Sequence, residues 1–293
     1  MPKIVIADSM ENEVVEEIKK LGWVVYKPAE LVTEIEDAEV LIVRSATKVT
    51  EELITKAPKL RIVARAGVGL DNVDVTACVK KNIKVINTPG ASANAVAELA
   101  IGLMLSMLRN VQKAHMQMKN RVWDKTKLTG CEVAGKTLGV IGYGRIGGMV
   151  GEKAHALGMK IIAFDPHPRE AEYVKFVDLD ALLKEADVIT LHVALSEDTK
   201  NLINQENIAK MKNGVYLINT SRGEVVDEEA LYHACKAGKI ASAALDVYKQ
   251  EPYTGKLLEL DNVCFTPHLG ASTKEAQMRI GMELVEKLKK ELV

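Results

Sequence analysis

The sequence of 293 residues lacks both a charge bias and a long apolar run. Lys and Arg number 39 against 40 Asp and Glu, a net charge of -1, so nothing points to a general affinity for nucleic acid or an anionic membrane. Any basic function must be local. The amino-terminal MPKIVIADSM carries an apolar run that stops at Asp8, too short for a signal segment or a membrane span. It reads as the first strand of a cytoplasmic protein. The four cysteines (Cys78, Cys131, Cys235, Cys264) are scattered and form neither a CxxC pair nor a His–Cys metal spacing, so no metal site is expected. Free thiols in a reducing compartment are the simplest account, and the apolar neighbours of Cys264 give it a structural role. Low-complexity tracts, charge blocks and solenoid-length repeats are also missing from the sequence.

What remains is the composition of a soluble globular protein, 47% hydrophobic and 27% charged, with length for two domains. Short branched runs recur through the first ninety residues (KIVIAD, WVVYK, VLIVRS, RIVARAG, KVINTPG) with helical stretches between them. Strands alternating with helices imply an α/β fold with a parallel sheet. After Pro89, residues 91–119 read as one long helix, with Ser92 or Asn94 as its cap. A second series follows from Thr137: TLGVIGYG, KIIAFDP, DVITLHV, GVYLINTS, ASAALDV and VCFTPHLG. Six strands are the number expected for a dinucleotide-binding fold. The amphipathic segment from Ser272 is expected to return to the first domain. That divides the chain into a discontinuous domain, 1–93 plus 270–293, and a nucleotide-binding domain, 94–269.

Gly142-Tyr143-Gly144-Arg145-Ile146-Gly147 has GxGxxG spacing, which is weak evidence alone and strong in this setting. It follows the apolar run TLGVI, opens a helical pattern, and is followed about twenty residues on by a strand ending in Asp165. Gly142 permits a tight turn, Gly144 lets backbone approach a pyrophosphate, and Gly147 lets helix and sheet pack closely. The helix start at Arg145 and Ile146 offers amide donors. Asp165 favours NAD, because a carboxylate there accepts from the ribose hydroxyls and repels a 2′-phosphate. His167 and Arg169 soften that repulsion.

The last three strands end in LINTSRGEVVDE, ALDVYKQEP and FTPHLGAS. They place Thr220, Ser221, Arg222, Asp246, Glu251, His268 and Gly270 at the edge where open α/β sheets bind ligands. Arg222 supplies a planar fork for a carboxylate. His268 is suited to exchange the proton that accompanies a hydride, and Glu251 is a charge partner for its protonated ring. His192, at the end of VITLHV, has no acidic neighbour directly after it and reads as lining.

GVIGYGRIG, the Asp165 strand end, NTSRGEVVDEEAL, AALDVYKQEP and TPHLGASTKEAQ together resemble the D-isomer-specific 2-hydroxyacid dehydrogenase family over nearly the whole chain. VRSATKVT, RAGVGLDNVD and HLGASTKEAQ are most similar to its members that oxidise 3-phosphoglycerate with NAD, the entry to serine synthesis. The resemblance implies a flavodoxin-like substrate domain and a Rossmann NAD-binding domain, both doubly wound. It also implies catalytic roles for Arg222, Glu251 and His268, and a nicotinamide carboxamide contact for Asp246. Substrate contacts fall on Arg44, Ser45 and the turn Gly67-Val68-Gly69, and a homodimer is expected through the helix near 94–118. Hydroxypyruvate or glyoxylate reduction is the near alternative. Members that use formate carry glutamine in place of Glu251, which disfavours that reaction here. The resemblance extends to C-terminal binding proteins, NAD-sensitive corepressors that keep the catalytic residues. No serine-binding regulatory domain and no final strand after the closing helix are expected within the chain.

Overall fold

The computed structural model describes residues 1–168 and 171–292, so Arg169 lies outside the described residues. Two compact units divide the chain, one from Met1–Ser92 with Ala271–Val293 and the other from Ala93–Gly270.

In the first unit, β1 (Lys3–Ile6), α1 (Asn12–Lys19), β2 (Trp23–Tyr26), α2 (Leu31–Ile35), β3 (Val40–Val43), α3 (Glu51–Thr55), β4 (Ile62–Arg65), α4 (Val75–Lys80) and β5 (Lys84–Asn87) alternate. The strands pair in parallel in the order β2-β1-β3-β4-β5, the flavodoxin-like winding. All four residues of β3 are buried, as a central strand covered on both faces requires. Thr50 and Asp74 accept from the amides of Leu53 and Ala77 and so begin α3 and α4.

The second unit opens with α5 (Ala93–Leu108) and α6 (Val111–Lys119). The single long helix read from the sequence is thus two. Asn110 sits in the left-handed region (φ 52°) and the returning chain packs so closely that a Cβ on Gly130 would stand 2.2 Å from the Leu108 carbonyl. That carbonyl accepts from Cys131 N at 2.8 Å, which ends the first helix. Asparagine tolerates this conformation without the punctuation of Gly or Pro.

Next come β6 (Thr137–Ile141), α7 (Arg145–Ala156), β7 (Lys160–Phe164), β8 (Val174–Phe176), α8 (Leu179–Glu185) and β9 (Val188–Leu191). They are followed by α9 (Gln205–Lys210), β10 (Val215–Asn219), α10 (Glu228–Lys236), β11 (Ile240–Leu245) and β12 (Val263–Phe265). The order β8-β7-β6-β9-β10-β11-β12 is Rossmann winding with one strand added at the β11 edge. The sheet has seven strands where the sequence suggested six. Its third strand, β8, is three residues at an edge with a lysine in the middle, too short and too polar to give a periodic signal. No helix among the described residues is long and apolar enough to cross a membrane.

Finally α11 (Lys274–Leu292) returns to the first unit and buries Ile280, Leu284, Val285 and Leu288 with Val14, Val15 and Ile18 of α1. Gly281 is the point of closest approach, since a Cβ there would lie 2.3 Å from Val14 Cγ2. We expect Gly281→Ala to destabilise the protein by about 1–3 kcal/mol through overpacking. Val14→Ala in the same chain should recover part of that loss, because it removes the methyl that the new Cβ would meet and the new Cβ fills the space left. Additive effects of the two changes in urea unfolding would show that this contact does not set the packing of α11.

Candidate functional site

Strand register builds the site of the second unit. Phe164, Ile141, Leu191, Asn219, Leu245 and Phe265 lie in one row across adjacent strands. The next residue of each strand, respectively Asp165, Gly142, His192, Thr220, Asp246 and Thr266, therefore stands one step beyond the sheet. The ladder runs on into that step, with Gly142 N on Phe164 O at 2.8 Å, His192 N on Ile141 O at 2.8 Å and Asp246 N on Asn219 O at 2.9 Å.

At β6 the chain turns through Gly142, whose φ of 89° and whose Cβ position, 2.7 Å from His192 O, both demand glycine. A Cβ on Gly147 would lie 2.1 Å from Gly142 O, so the helix closes directly over the turn. Gly144 differs, with open space where its side chain would be, and it caps α7 without any side-chain bond to the first amides. An open cradle of backbone at a helix start fits a dinucleotide pyrophosphate. Asp165 braces the turn, accepting from Tyr143 N and His167 N at 2.8 Å each. Two buried polar atoms in the row, His192 Nδ1 and Thr220 Oγ1, have no partner among the described residues, as expected at an edge that holds a polar ligand.

The loop after β10 is shaped by Asn219, a residue the sequence reading passed over. Its Oδ1 accepts from Ser221 N (3.0 Å) and Ser221 Oγ (2.9 Å), while its Nδ2 donates to Arg222 O (2.8 Å). Arg222 follows in extended conformation, with Nη1 on Ser221 O at 2.6 Å. Gly223 then presses on the next loop, since a Cβ there would meet the Tyr248 carbonyl carbon at 2.0 Å. Tyr248 N donates to Glu251 Oε1 at 3.3 Å. The Tyr248 hydroxyl lies 2.9 Å from both Leu245 O and Thr266 O, joining the ends of β11 and β12, and burial holds its ionisation well above the ordinary range.

His268 lies beyond β12 in the left-handed region (φ 55°), with its Nδ1 3.0 Å from Glu251 Oε2 and 3.1 Å from Oε1. Asp246 fixes that turn. Its buried carboxylate accepts from Thr266 Oγ1 (2.6 Å), Leu269 N (2.7 Å) and Gly270 N (2.9 Å). The structure thus brings Glu251 and His268 into contact and sets the Arg222 loop against the segment leading to Glu251. Cys264 is part-buried in β12 and its thiol is pushed up by desolvation, in keeping with packing.

In the first unit, Arg44 and Ser45 follow β3, and Gly67-Val68-Gly69 follows β4. Arg44 Nη1 donates to Ser9 O at 2.8 Å, and Asn87 Nδ2 holds Val68 O at 2.6 Å.

Burial lowers His192 from 6.5 to about 3, and its Nε2 lies 2.8 Å from Thr190 Oγ1. Its ring should stay neutral from pH 8 to pH 5, with imidazole resonances unmoved in an NMR titration. Since the unfolded chain takes up that proton below about 6.5 and the native one does not, stability is complete above that pH and is lost as pH falls toward 3. A histidine resonance assigned to His192 that titrates near 6.5 would refute the neutral ring.

Residues 101–270 match the family model for the D-isomer specific 2-hydroxyacid dehydrogenase, NAD binding domain. The chain is 55% identical over 268 residues to the hydroxypyruvate reductase of Thermotoga maritima, covering 90% of this chain and 88% of that protein. It is 47% identical over 302 residues to the D-3-phosphoglycerate dehydrogenase of Methanocaldococcus jannaschii, covering 100% of this chain but only 58% of that protein. Among solved structures, the D-lactate dehydrogenase of Aquifex aeolicus complexed with NAD and lactic acid matches with a TM-score of 0.88 at 34% identity, covering 99% of this chain and 95% of that one. A chain with this winding, this glycine turn and these relatives belongs to the D-isomer specific 2-hydroxyacid dehydrogenases, and its cofactor is NAD.

Proposed function

We propose that the protein interconverts a three-carbon D-2-hydroxy acid and its 2-keto acid, with Arg222, Glu251 and His268 as the reacting groups. The contact of His268 Nδ1 with Glu251 at 3.0 Å carries this reading. With Nδ1–H donated to the carboxylate, Nε2 is the nitrogen left to take the hydroxyl proton as the C2 hydride departs. Glu251 orients the ring and balances the charge it gains. Arg222 holds the substrate carboxylate and polarises the neighbouring oxygen. Bound NAD supplies the hydride acceptor. Its pyrophosphate is assigned to Gly142, Gly144, Arg145, Ile146 and Gly147, and its ribose to Asp165. Thr220, Ser221, Asp246 and Gly270 face its nicotinamide half.

For substrate we favour 3-phosphoglycerate, oxidised to 3-phosphohydroxypyruvate in the cytoplasm as the entry to serine synthesis. Arg44 and Ser45 then hold an anionic group, helped by the backbone of Gly67-Val68-Gly69. Support comes from relatives named D-3-phosphoglycerate dehydrogenase at 47%, 44% and 41% identity. Hydroxypyruvate is the second reading, favoured by the 55% identity to the Thermotoga protein. An NADH assay over phosphorylated and unphosphorylated 2-hydroxy and 2-keto acids separates the two. His268→Ala should lose about 10²–10⁴-fold in kcat with NADH affinity little changed. Arg44→Ala should cost more with 3-phosphoglycerate than with D-glycerate. Equal losses would move the assignment to hydroxypyruvate, and NADH binding without turnover of any acid would favour an NAD-sensing role over an enzyme.

A homodimer is part of the same reading. No residue of α6 is buried, and Val111, Met116, Met118, Val122 and Trp123 are exposed along and just after it, with Trp123 at 75%. An apolar patch of this kind is a usual mark of an interface. Light scattering should give twice the chain mass, and a double change of Met116→Asp with Trp123→Asp should give the monomer. A wild-type monomer at micromolar concentration would end this proposal.

A further inference from the structure

In the first sheet the winding reverses between β1 and β3, and ligands of open α/β sheets bind outside the carboxyl ends at such a point. Two loops flank that crevice, one entered through Asp8 after β1 and the other running from Arg44 to Thr47 after β3. Asp8 is 9% exposed, and its carboxylate is turned onto the second loop. Oδ2 accepts from Arg44 N at 2.5 Å and Thr47 N at 3.3 Å, and Oδ1 accepts from Thr47 Oγ1 at 2.6 Å. Asn72, beyond β4, completes the arrangement from the other side. Its Nδ2 donates to Arg44 O at 2.7 Å and to Thr47 O at 2.6 Å, and its own carbonyl accepts from Val49 N at 2.8 Å.

The consequence is a sorted loop. The N–H and C=O of both end residues, Arg44 and Thr47, are tied inward, while the residues between them, Ser45 and Ala46, are exposed. A trans peptide points its C=O and N–H to opposite sides, so the inward Arg44 carbonyl turns the Ser45 amide outward. Beside it stand the Ser45 hydroxyl and the Arg44 guanidinium, whose Nη1 is steadied by Ser9 O at 2.8 Å. These donors, with a fixed positive charge among them, suit an oxyanion.

We propose that Asp8 and Asn72 are positioning residues for the reaction, holding Arg44 and Ser45 in the conformation that receives the anionic group of the substrate. The inference rests on the reading that this loop binds a substrate anion. Neither residue touches the substrate. Asp8 acts by consuming the amides that would otherwise turn the loop inside out, and Asn72 by consuming its carbonyls, whose lone pairs would repel an anion.

The test is steady-state kinetics with 3-phosphoglycerate and hydroxypyruvate on Asp8→Ala, Asp8→Asn, Asn72→Ala, Thr47→Val and Arg44→Ala, with NADH affinity measured by fluorescence. Losing these hydrogen bonds, three in Asp8→Ala and two in Asn72→Ala, should raise substrate KM about tenfold in each. In the same variants kcat should change by less than about threefold and NADH affinity should stay within about twofold. Asp8→Asn keeps one acceptor and should fall between wild type and Asp8→Ala. Thr47→Val, the mildest of the changes, exchanges one hydroxyl for a methyl and removes a single hydrogen bond, and should raise KM in the same direction by about threefold. A purely structural role would instead lower the active fraction, and with it apparent kcat, at unchanged KM; that result overturns the proposal. If Arg44→Ala leaves KM unchanged for every acid, the anion reading itself fails. If Arg44→Ala raises KM while the Asp8, Asn72 and Thr47 variants do not, only the positioning roles fail.

Discussion

A parallel strand that ends leaves backbone donors and acceptors at its carboxyl end with no further ladder to join, and buried polar backbone must be paired. Both sheets meet that demand with the short side chains of Asp and Asn, which reach amides one to a few residues away or in the neighbouring loop. In the first unit Asp8 and Asn72 tie down the segment after β3, and Asn87 the segment after β4. In the second, Asp165 does so after β6 and β7, Asn219 after β10 and Asp246 after β12.

This arrangement accounts for the conformation of His268. A non-glycine residue in the left-handed region costs roughly 1–2 kcal/mol, and it persists only where its surroundings fix it. Here the His268 amide donates to Asp246 O at 2.9 Å, and the two following amides are held by the Asp246 carboxylate. The strain is balanced by three bonds to one buried residue. The resemblance assigned Asp246 to the nicotinamide, yet its oxygens already carry three donors, so its first effect is on the turn that presents His268.

The strongest sequence signals were those where one residue type is sterically compulsory or where apolar periodicity runs long. Gly142 and Gly147 belong to the first kind, and the central strands of both sheets to the second. The Glu251–His268 contact was legible because both residues follow short strand runs in one sheet. What escaped was set by tertiary crossings. Nothing in LRNVQK announces that Gly130 and Cys131 pass beside Leu108 and break the helix. The strand β8 is too short to show a period, and Asn219 resembles any strand-terminal asparagine until its three bonds are seen. The inward bonds of Asp8 and Asn72 join residues 25 to 39 positions apart, beyond the reach of local pattern.

The proposed reacting groups come from three separate loops, and one contact makes their placement interdependent. Gly223 leaves no room for even a methyl between the loop of Arg222 and the backbone of Tyr248 and Lys249. Tyr248 in turn bonds Glu251 through its amide and the ends of β11 and β12 through its hydroxyl, with Tyr253 stacked on its ring at 4.6 Å. Gly223, Tyr248, Glu251 and His268 therefore form one chain of contacts. The loop of Arg222 is shaped by Asn219, and the turn of His268 by the carboxylates of Glu251 and Asp246. In the proposed reaction the cation that holds the substrate carboxylate and the ring that exchanges the proton are thus presented by two differently braced loops, a few residues beyond one sheet edge.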